Sequence, residues 1–232
     1  MQDVRAIFFD VGSTLIYPDP SVAEMFKIVA RERGHAFDPA RVDSFMPEVD
    51  ALYDREYERN GDFWCAHESS VQIWKDMYTL LSERMGLGDD SAGISDAMYD
   101  RYLLAESWSL YPEVVGALEA LAGEGYRLGI ISNWDASLPN LIEGLGLKKY
   151  FDVVIPSASR GCRKPHKAIF EVALDEMGVK ARHAVHVGDL PEADGAAALV
   201  GIRPLIVDRH GRHVGCGFET IRSLAGVLEA VR

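Results

Sequence analysis

The hydrophobic pattern divides the chain into segments of two kinds. Short apolar runs alternate with amphipathic stretches in residues 4–9 and 111–232, whereas residues 18–108 place apolar side chains at helical spacing. Apolar runs without a polar face are typical of the buried strands of a parallel sheet, and strands that alternate with helices indicate a doubly wound arrangement. The pattern therefore predicts an α/β fold with a doubly wound parallel sheet and an all-helical insertion.

The insertion follows the loop after the first predicted strand. We predict an α/β core domain formed by residues 1–17 and 109–232, and a helical cap domain formed by residues 18–108. The first strand, from Val4 to Phe9, belongs to the core sheet because it could not bury both of its faces alone. A segment inserted at this point is expected to lie over the edge of the sheet as a lid.

Turn and cap signals give the expected ends of several elements. Asp19 can cap a helix that begins at Pro20, and Pro47 is expected to kink or split the second helix of the insertion. Further helices are predicted over residues 192–199 and 220–231. The chain is then expected to end in a helix rather than in a further strand.

Composition narrows the classes of function. The chain has 232 residues, 48% of them apolar, and a net charge of −12, which is typical of a soluble globular protein and unfavourable for binding nucleic acid or an anionic membrane. No apolar stretch approaches the roughly 20 residues that span a bilayer, and no secretory signal is expected. Cys65, Cys162 and Cys216 are far apart and odd in number, which favours reduced thiols in a cytoplasmic protein. We expect a monomer or a homodimer.

Four loops that follow predicted strands or precede predicted helices carry polar residues suited to chemistry. Because the carboxyl ends of parallel strands meet at one edge of a sheet, these loops are expected to form a single site. A carboxylate at such an edge can bind a metal, accept a proton or attack an electrophile. The residues concerned are Asp10, Ser132, Asn133, Lys164, Asp189 and Asp194.

This set of residues resembles the haloacid dehalogenase-like (HAD) hydrolase superfamily. Four motifs carry the resemblance along the whole chain, and the helical insertion looks like the cap of the subfamily with a helical-bundle lid. The motifs are Asp10 with Thr14, Ser132-Asn133, Lys164-Pro165, and Gly188-Asp189 with Asp194. The resemblance implies a Rossmann-like core and a hydrolase.

The chemistry of the family assigns roles to several of these residues. The resemblance implies phosphomonoester hydrolysis of a small phosphorylated metabolite through an aspartyl-phosphate on Asp10. Ser132 would hydrogen-bond a phosphoryl oxygen, and Lys164 would balance the charge on the nucleophile and the transferring group. Thr14 and Asn133, which belong to the same motifs, are expected to contact the substrate.

A magnesium ion is also implied, because a phosphate dianion and a carboxylate nucleophile repel each other. Mg²⁺ prefers hard oxygen ligands. By resemblance, these ligands are a carboxylate oxygen of Asp10, the backbone carbonyl of Gly12 and a carboxylate oxygen of Asp189. Asp194 is assigned to the same metal site, where it would orient Lys164 or a water on the ion.

Gly12 is the point at which the chain departs from the phosphatase pattern. Phosphatases of this family usually carry a second aspartate at this position, and it protonates the leaving alcohol. Such acid–base catalysis typically contributes about 10²–10⁴-fold to the rate. The candidates to replace the missing acid are Asp62, His67, Glu68, Asp135 and Glu192.

Two alternative functions follow from Gly12. Haloacid dehalogenases of the superfamily also lack the second aspartate, because a halide leaves without a proton. They do not need Mg²⁺, however, and Asp189 with Asp194 resembles the metal-binding version of the motif. The other alternative is a pseudo-enzyme that binds a phosphorylated ligand or a partner protein without turning it over.

The aromatic residues of the insertion offer a candidate substrate contact. Trp64 lies next to the break in the helical pattern at Gly61 and is the better candidate. Trp74 and Tyr78 recur at helical spacing, which is more typical of interior residues than of a substrate pocket.

A tract near the end of the chain contains several metal-binding residue types. The residues concerned are His210, His213 and Cys216, which recur every third residue, and this spacing is compatible with metal binding. The glycines around them are more typical of a surface loop.

Overall fold

The computed structural model of the protein describes residues 3–232 and is built on a parallel β-sheet. Its strands are β1 (Ala6–Phe9), β2 (Ile16–Pro18), β3 (Trp108–Leu110), β4 (Arg127–Ser132), β5 (Val153–Pro156), β6 (Ala184–Gly188), β7 (Arg203–Val207) and β8 (Glu219–Ile221). Six of these form one sheet in the order β5-β4-β1-β6-β7-β8, and every neighbouring pair in it is parallel. β2 and β3 form a separate antiparallel pair.

Helices cover both faces of the sheet. They are α1 (Val22–Glu32), α2 (Ala40–Asn60), α3 (His67–Arg84), α4 (Ser91–Tyr102), α5 (Val114–Gly123), α6 (Leu138–Gly144), α7 (Lys167–Met177), α8 (Pro191–Asp194) and α9 (Val227–Val231). One face packs against α5, α6 and α9, and the other against α7 and the 3₁₀ segment Gly195–Val200. This arrangement confirms the predicted α/β fold. Within residues 3–232, no helix is both long enough and apolar enough to pass through a membrane.

The central strand places the candidate nucleophile. β1 lies between β4 and β6, and its four apolar residues are fully buried because helices cover both faces of the sheet. Phe9 is in register with Ile130 of β4 and Val187 of β6. Asp10 therefore follows the end of β1 at the same edge of the sheet as Ser132, the last residue of β4.

A short antiparallel pair joins the insertion to the sheet. Pro18, the last residue of β2, pairs with Trp108, the first residue of β3. The segment between them contains α1 to α4, which share an apolar core that includes Phe26 and Tyr78. The division into a core domain and a cap domain stays a prediction, and residues 1 and 2, which it assigns to the core, lie outside the described residues.

The first helix of the insertion begins later than predicted. α1 begins at Val22, and its cap is Ser21, whose hydroxyl accepts a hydrogen bond from the backbone N–H of Glu24 (3.4 Å). Asp19 does not cap the helix. Its carboxylate accepts a hydrogen bond from the hydroxyl of Ser109 (2.7 Å), so it links the two chain segments that lead into and out of the insertion.

Three other local predictions are wrong in part. α2 is not split, because Pro47 lies inside one continuous helix. The helix predicted over residues 192–199 is a four-residue helix, α8, followed by 3₁₀ turns. The final helix predicted over residues 220–231 is replaced by β8, a 3₁₀ turn and the short α9. Thr220 pairs with Ile206 at the edge of the sheet, and this strand partner overrides the local helical pattern.

Candidate active site

A cleft at the carboxyl edge of the sheet brings the predicted residues together. It has a volume of about 480 Å³ and lies between the ends of the strands and the insertion. From the sheet side it is lined by Asp10, Gly12, Ser132, Asn133, Lys164 and Asp189, and from the insertion by Tyr53, Asp54, Tyr57 and Trp64. Thr14 and Asp194 are fully buried beside it. The catalytic and binding roles of these residues stay predictions.

Lys164 is the centre of the charge arrangement. Its Nζ lies 2.8 Å from Oδ1 of Asp10 and 2.6 Å from Oδ1 of Asp194, and its side chain is only 3% exposed. Burial alone would lower the pKa of Lys164, but the carboxylates of Asp10 and Asp194 outweigh burial and raise it above its ordinary value. Lys164 is therefore a fixed positive charge beside Asp10 at neutral pH.

Asp194 binds the ammonium group of Lys164 and is itself held by two further hydrogen bonds. Its Oδ1 also accepts a hydrogen bond from Nε2 of His186 (2.8 Å), and its Oδ2 accepts one from the backbone N–H of Leu190 (2.9 Å). Burial alone would raise the pKa of Asp194, but Lys164 and His186 hold it well below its usual range. Because both oxygens of Asp194 already accept hydrogen bonds from the protein, the geometry favours the orienting role over direct metal binding.

His186 belongs to this network, and the sequence did not reveal its part. It is fully buried in β6, where its ring meets Phe170 with 5.3 Å between centroids. A carboxylate only accepts hydrogen bonds, so Nε2 carries the proton that Asp194 binds, while Nδ1 has no partner in the part of the chain that the structure describes. One feature of the sequence could have indicated this role: His186 is a single polar residue inside an apolar strand, and a buried polar group requires a hydrogen-bond partner.

Three carboxylates meet where a cation can be bound. Oxygens of Asp10, Asp189 and Asp194 lie within 4.8 Å of one another, and those of Asp10 and Asp189 are the ones left to bind the ion, because Asp194 already accepts hydrogen bonds at both of its oxygens. Burial, together with the charges of Asp10 and Asp194, raises the pKa of Asp189 to about 7. A divalent cation would relieve this repulsion, and hard carboxylate oxygens are the donors that Mg²⁺ prefers. The donor set therefore fits magnesium.

The loop after Asp10 is held by contacts from other elements. Ser13 adopts the left-handed backbone conformation, with φ of 56°. The guanidinium of Arg209 donates a hydrogen bond to the carbonyl of Thr14 (2.9 Å), and the Thr14 hydroxyl donates one to Oδ1 of Asp189 (3.4 Å). Thr14 thus ties the nucleophile loop to the loop after β6, and its contact with a substrate stays a prediction.

Asn133 fixes the backbone of the lysine. Its Nδ2 donates a hydrogen bond to the carbonyl of Lys164 (3.0 Å), and its Oδ1 accepts one from the backbone N–H of the same residue (2.8 Å). The geometry therefore indicates that Asn133 positions the backbone of Lys164. Its contact with the substrate stays a prediction. Ser132 precedes it at the end of β4 and lines the cleft with its side chain nearly buried.

Gly12 lies against the indole ring of Trp134. A Cβ atom built at Gly12 would lie 3.7 Å from Cζ3 of Trp134, which is an ordinary van der Waals distance. The backbone of Gly12 is not in the left-handed region, in contrast to that of Ser13. Neither the backbone nor the adjacent space demands a glycine, so the missing acid is a chemical feature of the cleft rather than a requirement of the turn.

The insertion forms one wall of the cleft. Trp64 is only 3% exposed, and its Nε1–H donates a hydrogen bond to the hydroxyl of Tyr53 (3.1 Å). The Tyr57 hydroxyl accepts a hydrogen bond from the guanidinium of Arg163 (3.1 Å), which also lies over the Tyr57 ring. Trp64 is thus packed into the wall, and the role predicted for it in substrate binding stays a prediction.

The acids considered as replacements for the missing one lie in different places. Glu192 lines the cleft, together with Asp54, an exposed acid of α2 that the sequence did not single out. Asp135 is buried in a second cavity, where its Oδ2 accepts a hydrogen bond from the Tyr99 hydroxyl (3.0 Å). Within residues 3–232, four of the five candidates therefore lie outside the lining of the cleft, namely Asp62, His67, Glu68 and Asp135.

The tract that contains His210, His213 and Cys216 does not form a second metal site among the described residues. Within residues 3–232, the carboxylates around Lys164 are the only set of three or more histidine, cysteine or acidic side chains that meet closely enough to hold an ion. His210, His213 and Cys216 are therefore not assembled around a common point. The loop is instead held by Asp208, whose carboxylate accepts a backbone hydrogen bond from His213 (3.2 Å).

Comparison with known proteins identifies the class that this fold and cleft define. The family profile of haloacid dehalogenase-like hydrolases matches residues 4–200, and the chain belongs to this family of hydrolases. Haloacid dehalogenase-like hydrolase domain-containing protein 3 of Xenopus laevis is 30% identical over 207 residues, which is 88% of this chain and 84% of that protein. The predicted family and the predicted hydrolase class are thereby confirmed.

One further relative and one solved structure extend the comparison. Ribulose-1,5-bisphosphate 5-phosphatase of Halopiger xanaduensis is 33% identical over 209 residues, which is 88% of this chain and 84% of that protein. The chain is therefore related to phosphatases. The crystal structure of the HAD-hydrolase YfnB from Bacillus subtilis has the same fold, with a TM-score of 0.79 over 98% of both chains at 18% identity.

Proposed function

We propose that this protein is a Mg²⁺-dependent phosphomonoester hydrolase that acts on a small phosphorylated metabolite through an aspartyl-phosphate on Asp10. The observation that carries the proposal is the position of Asp10, whose Oδ1 lies 2.8 Å from the buried ammonium group of Lys164 in the same cleft as Asp189. An oriented carboxylate beside a fixed positive charge is suited to nucleophilic attack. The relative from Halopiger xanaduensis is named as a phosphatase, which supports a phosphoester as the substrate class.

The first chemical step forms the aspartyl-phosphate. A carboxylate oxygen of Asp10 attacks phosphorus, the bond from phosphorus to the ester oxygen breaks, and that oxygen leaves with the electron pair and takes a proton from solvent. Lys164 stays protonated and balances the charge on the phosphoryl oxygens, and the Ser132 hydroxyl donates a hydrogen bond to one of them. Magnesium held by Asp10, Asp189 and the Gly12 carbonyl would supply further neutralisation of this charge.

The second step regenerates the enzyme. Water attacks phosphorus, the bond to Asp10 breaks, and inorganic phosphate leaves while the carboxylate is restored. A base must take a proton from this water, and Gly12 offers none. Within residues 3–232, Glu192 and Asp54 are the other acids that line the cleft. Gly12 also offers no acid to protonate the leaving oxygen in the first step, so turnover is expected to be slow for substrates whose leaving group needs a proton.

Metal removal tests the proposed reaction. We expect release of inorganic phosphate from a panel of small phosphomonoesters in Mg²⁺, a loss of about 100-fold or more in excess EDTA, and recovery when Mg²⁺ is returned, because the cation neutralises charge in the transition state. The same protein is assayed for halide release from a 2-haloacid. Halide release that persists in EDTA, without phosphate release from any ester, would replace the proposal with the dehalogenase alternative.

Restoring the missing acid tests what limits the rate. Gly12→Asp is expected to raise kcat for an alkyl phosphomonoester by about 10²–10⁴-fold, because the new carboxyl group can protonate the leaving alcohol. Gly12→Asn is the matched control, since it has the same size and no proton of suitable acidity. Equal kcat values for the two variants would show that proton transfer at this position does not limit turnover.

A further inference from the structure

A second cavity lies beside the cleft, between the insertion and the sheet. It has a volume of about 200 Å³, and its wall is mainly apolar with six aromatic residues. The rings that line it are those of Trp74, Tyr78, Tyr99, Tyr102, Trp108 and Trp134. Trp74 and Tyr78, which were predicted to be interior residues of the insertion, thus each present part of their surface to this cavity. Tyr78 belongs to the apolar core of the insertion as well.

The size and lining of the cavity match one aromatic ring. Protein interiors contain few voids larger than a water molecule, and an apolar cavity of about 150 Å³ is known to hold benzene. A cavity of about 200 Å³ therefore accepts one ring with a small substituent. The rings of Trp108 and Trp134 lie 5.2 Å apart at an angle of 56°, a tilted geometry within the range that aromatic pairs favour.

The cavity adjoins the nucleophile. Gly12, Ser13 and Trp134 line both the cavity and the cleft, and Gly12 and Ser13 follow Asp10 closely in the chain. A group attached to a phosphoryl oxygen at Asp10 would therefore reach the cavity beside Gly12, where the walls of the two spaces meet. A side chain at Gly12 would narrow this path, because even its Cβ would contact the Trp134 ring.

The polar groups of the cavity are few. Both oxygens of Asp135 are engaged, one with the Tyr99 hydroxyl (3.0 Å) and the other with the backbone N–H of Ser137 (2.7 Å). The hydroxyl of Tyr102 is buried and has no hydrogen-bond partner within residues 3–232. The cavity thus presents mainly apolar and aromatic surface, which suits a ring better than a polyol.

We propose that this cavity binds the aryl group of the substrate, so that the enzyme hydrolyses aryl phosphomonoesters, whose leaving group is a phenol. The inference rests on the proposed function of the cleft. A phenol has a pKa of about 10, whereas the value for water, close to that of an alkyl alcohol, is about 16. When Asp10 attacks phosphorus, the aryl oxygen therefore leaves with its electron pair as a phenolate and takes a proton from solvent afterwards. Such a substrate does not need the acid that Gly12 lacks.

The kinetic test compares phenyl phosphate with glycerol phosphate. In the wild type, kcat/KM for phenyl phosphate is expected to exceed that for glycerol phosphate by about 100-fold, from burial of the ring and from the better leaving group. Leu103→Trp fills the cavity from the residue that follows α4, and Val22→Phe fills it from the start of α1; neither residue lines the cleft. Each variant is expected to lower kcat/KM for phenyl phosphate about 10-fold and to leave that for glycerol phosphate unchanged.

Binding of the ring is measured apart from catalysis. Saturation-transfer NMR with 4-methylphenol, in EDTA and without phosphate, is expected to show binding to the wild type and none to Leu103→Trp. Equal kcat/KM for the two esters together with no 4-methylphenol binding would overturn the inference and leave the proposed function intact. Binding that Leu103→Trp abolishes, without phosphate release from either ester, would support the ring site and overturn the proposed function.

Discussion

Asp10→Asn is expected to abolish phosphate release, with kcat lowered by about 10⁴-fold or more, because an amide cannot act as the attacking carboxylate. The fold should persist. Asparagine has the same size, and its Oδ1 can still accept a hydrogen bond from Lys164. The change also removes one of three carboxylates whose oxygens lie within 4.8 Å of one another, so it relieves repulsion. The measurements are kcat in Mg²⁺ and the midpoint of thermal unfolding in EDTA.

The control for this variant makes the same chemical change away from the cleft. Asp175→Asn alters an exposed aspartate on α7 and should leave kcat unchanged. Acid quenching during turnover should trap a phosphorylated protein from the wild type and none from Asp10→Asn. A residual kcat within 10-fold of the wild type, or a phosphorylated Asp10→Asn protein, would exclude Asp10 as the nucleophile.

The central part of the fold could be predicted because its signals are local. Ala6 to Phe9 are apolar on both faces, and only a strand covered by helices on both sides buries them all. Once the sheet is parallel, the edge that collects Asp10, Ser132 and Asp189 follows from topology alone. This placement and the family motifs are enough to predict the site residues, but not the distances between them.

The predictions of local structure are wrong where a residue distant in sequence determines the local conformation. Asp19 has the sequence of a helix cap, but the Ser109 hydroxyl, 90 residues away in the chain, binds its carboxylate instead. The helical pattern predicts a helix from Thr220 onward, yet β7 offers an unpaired edge and Thr220 joins it. No single-sequence pattern records which edge of a sheet is free.

Parts of the candidate site were beyond sequence reasoning for the same reason. His186 and Asp194 are eight residues apart, and their 2.8 Å contact depends on how the loop after β6 folds back over the strand. Trp108 and Trp134 lie on different elements and meet only in the folded chain. Helical spacing could place Trp74 inside the insertion but could not show that the packed rings leave a cavity.

Lys164→Met is expected to lower both activity and stability. Methionine fills a similar volume, but it leaves Asp10 and Asp194 as buried carboxylates without their cation. Removing one partner of a buried charge cluster costs about 3–5 kcal/mol of unfolding free energy. For a chain of this length, that loss lowers the midpoint of thermal unfolding by about 6–20 °C. Lys167→Met removes an exposed lysine three residues further on and should change neither quantity.

The pH dependence of the stability lost in Lys164→Met distinguishes lost charge pairing from lost packing. In the wild type, the depressed pKa of Asp194 contributes stability that is present above the unfolded pKa near 4 and is lost as pH falls towards the folded value. The raised pKa of Lys164 keeps the lysine charged throughout the neutral range. In Lys164→Met the ionised carboxylate of Asp194 is buried without its cation, so acidification stabilises the variant relative to the wild type. Thermal unfolding in EDTA should therefore show a larger difference in midpoint between the wild type and Lys164→Met at pH 7 than at pH 4. A difference in midpoint that does not depend on pH would assign the lost stability to packing alone.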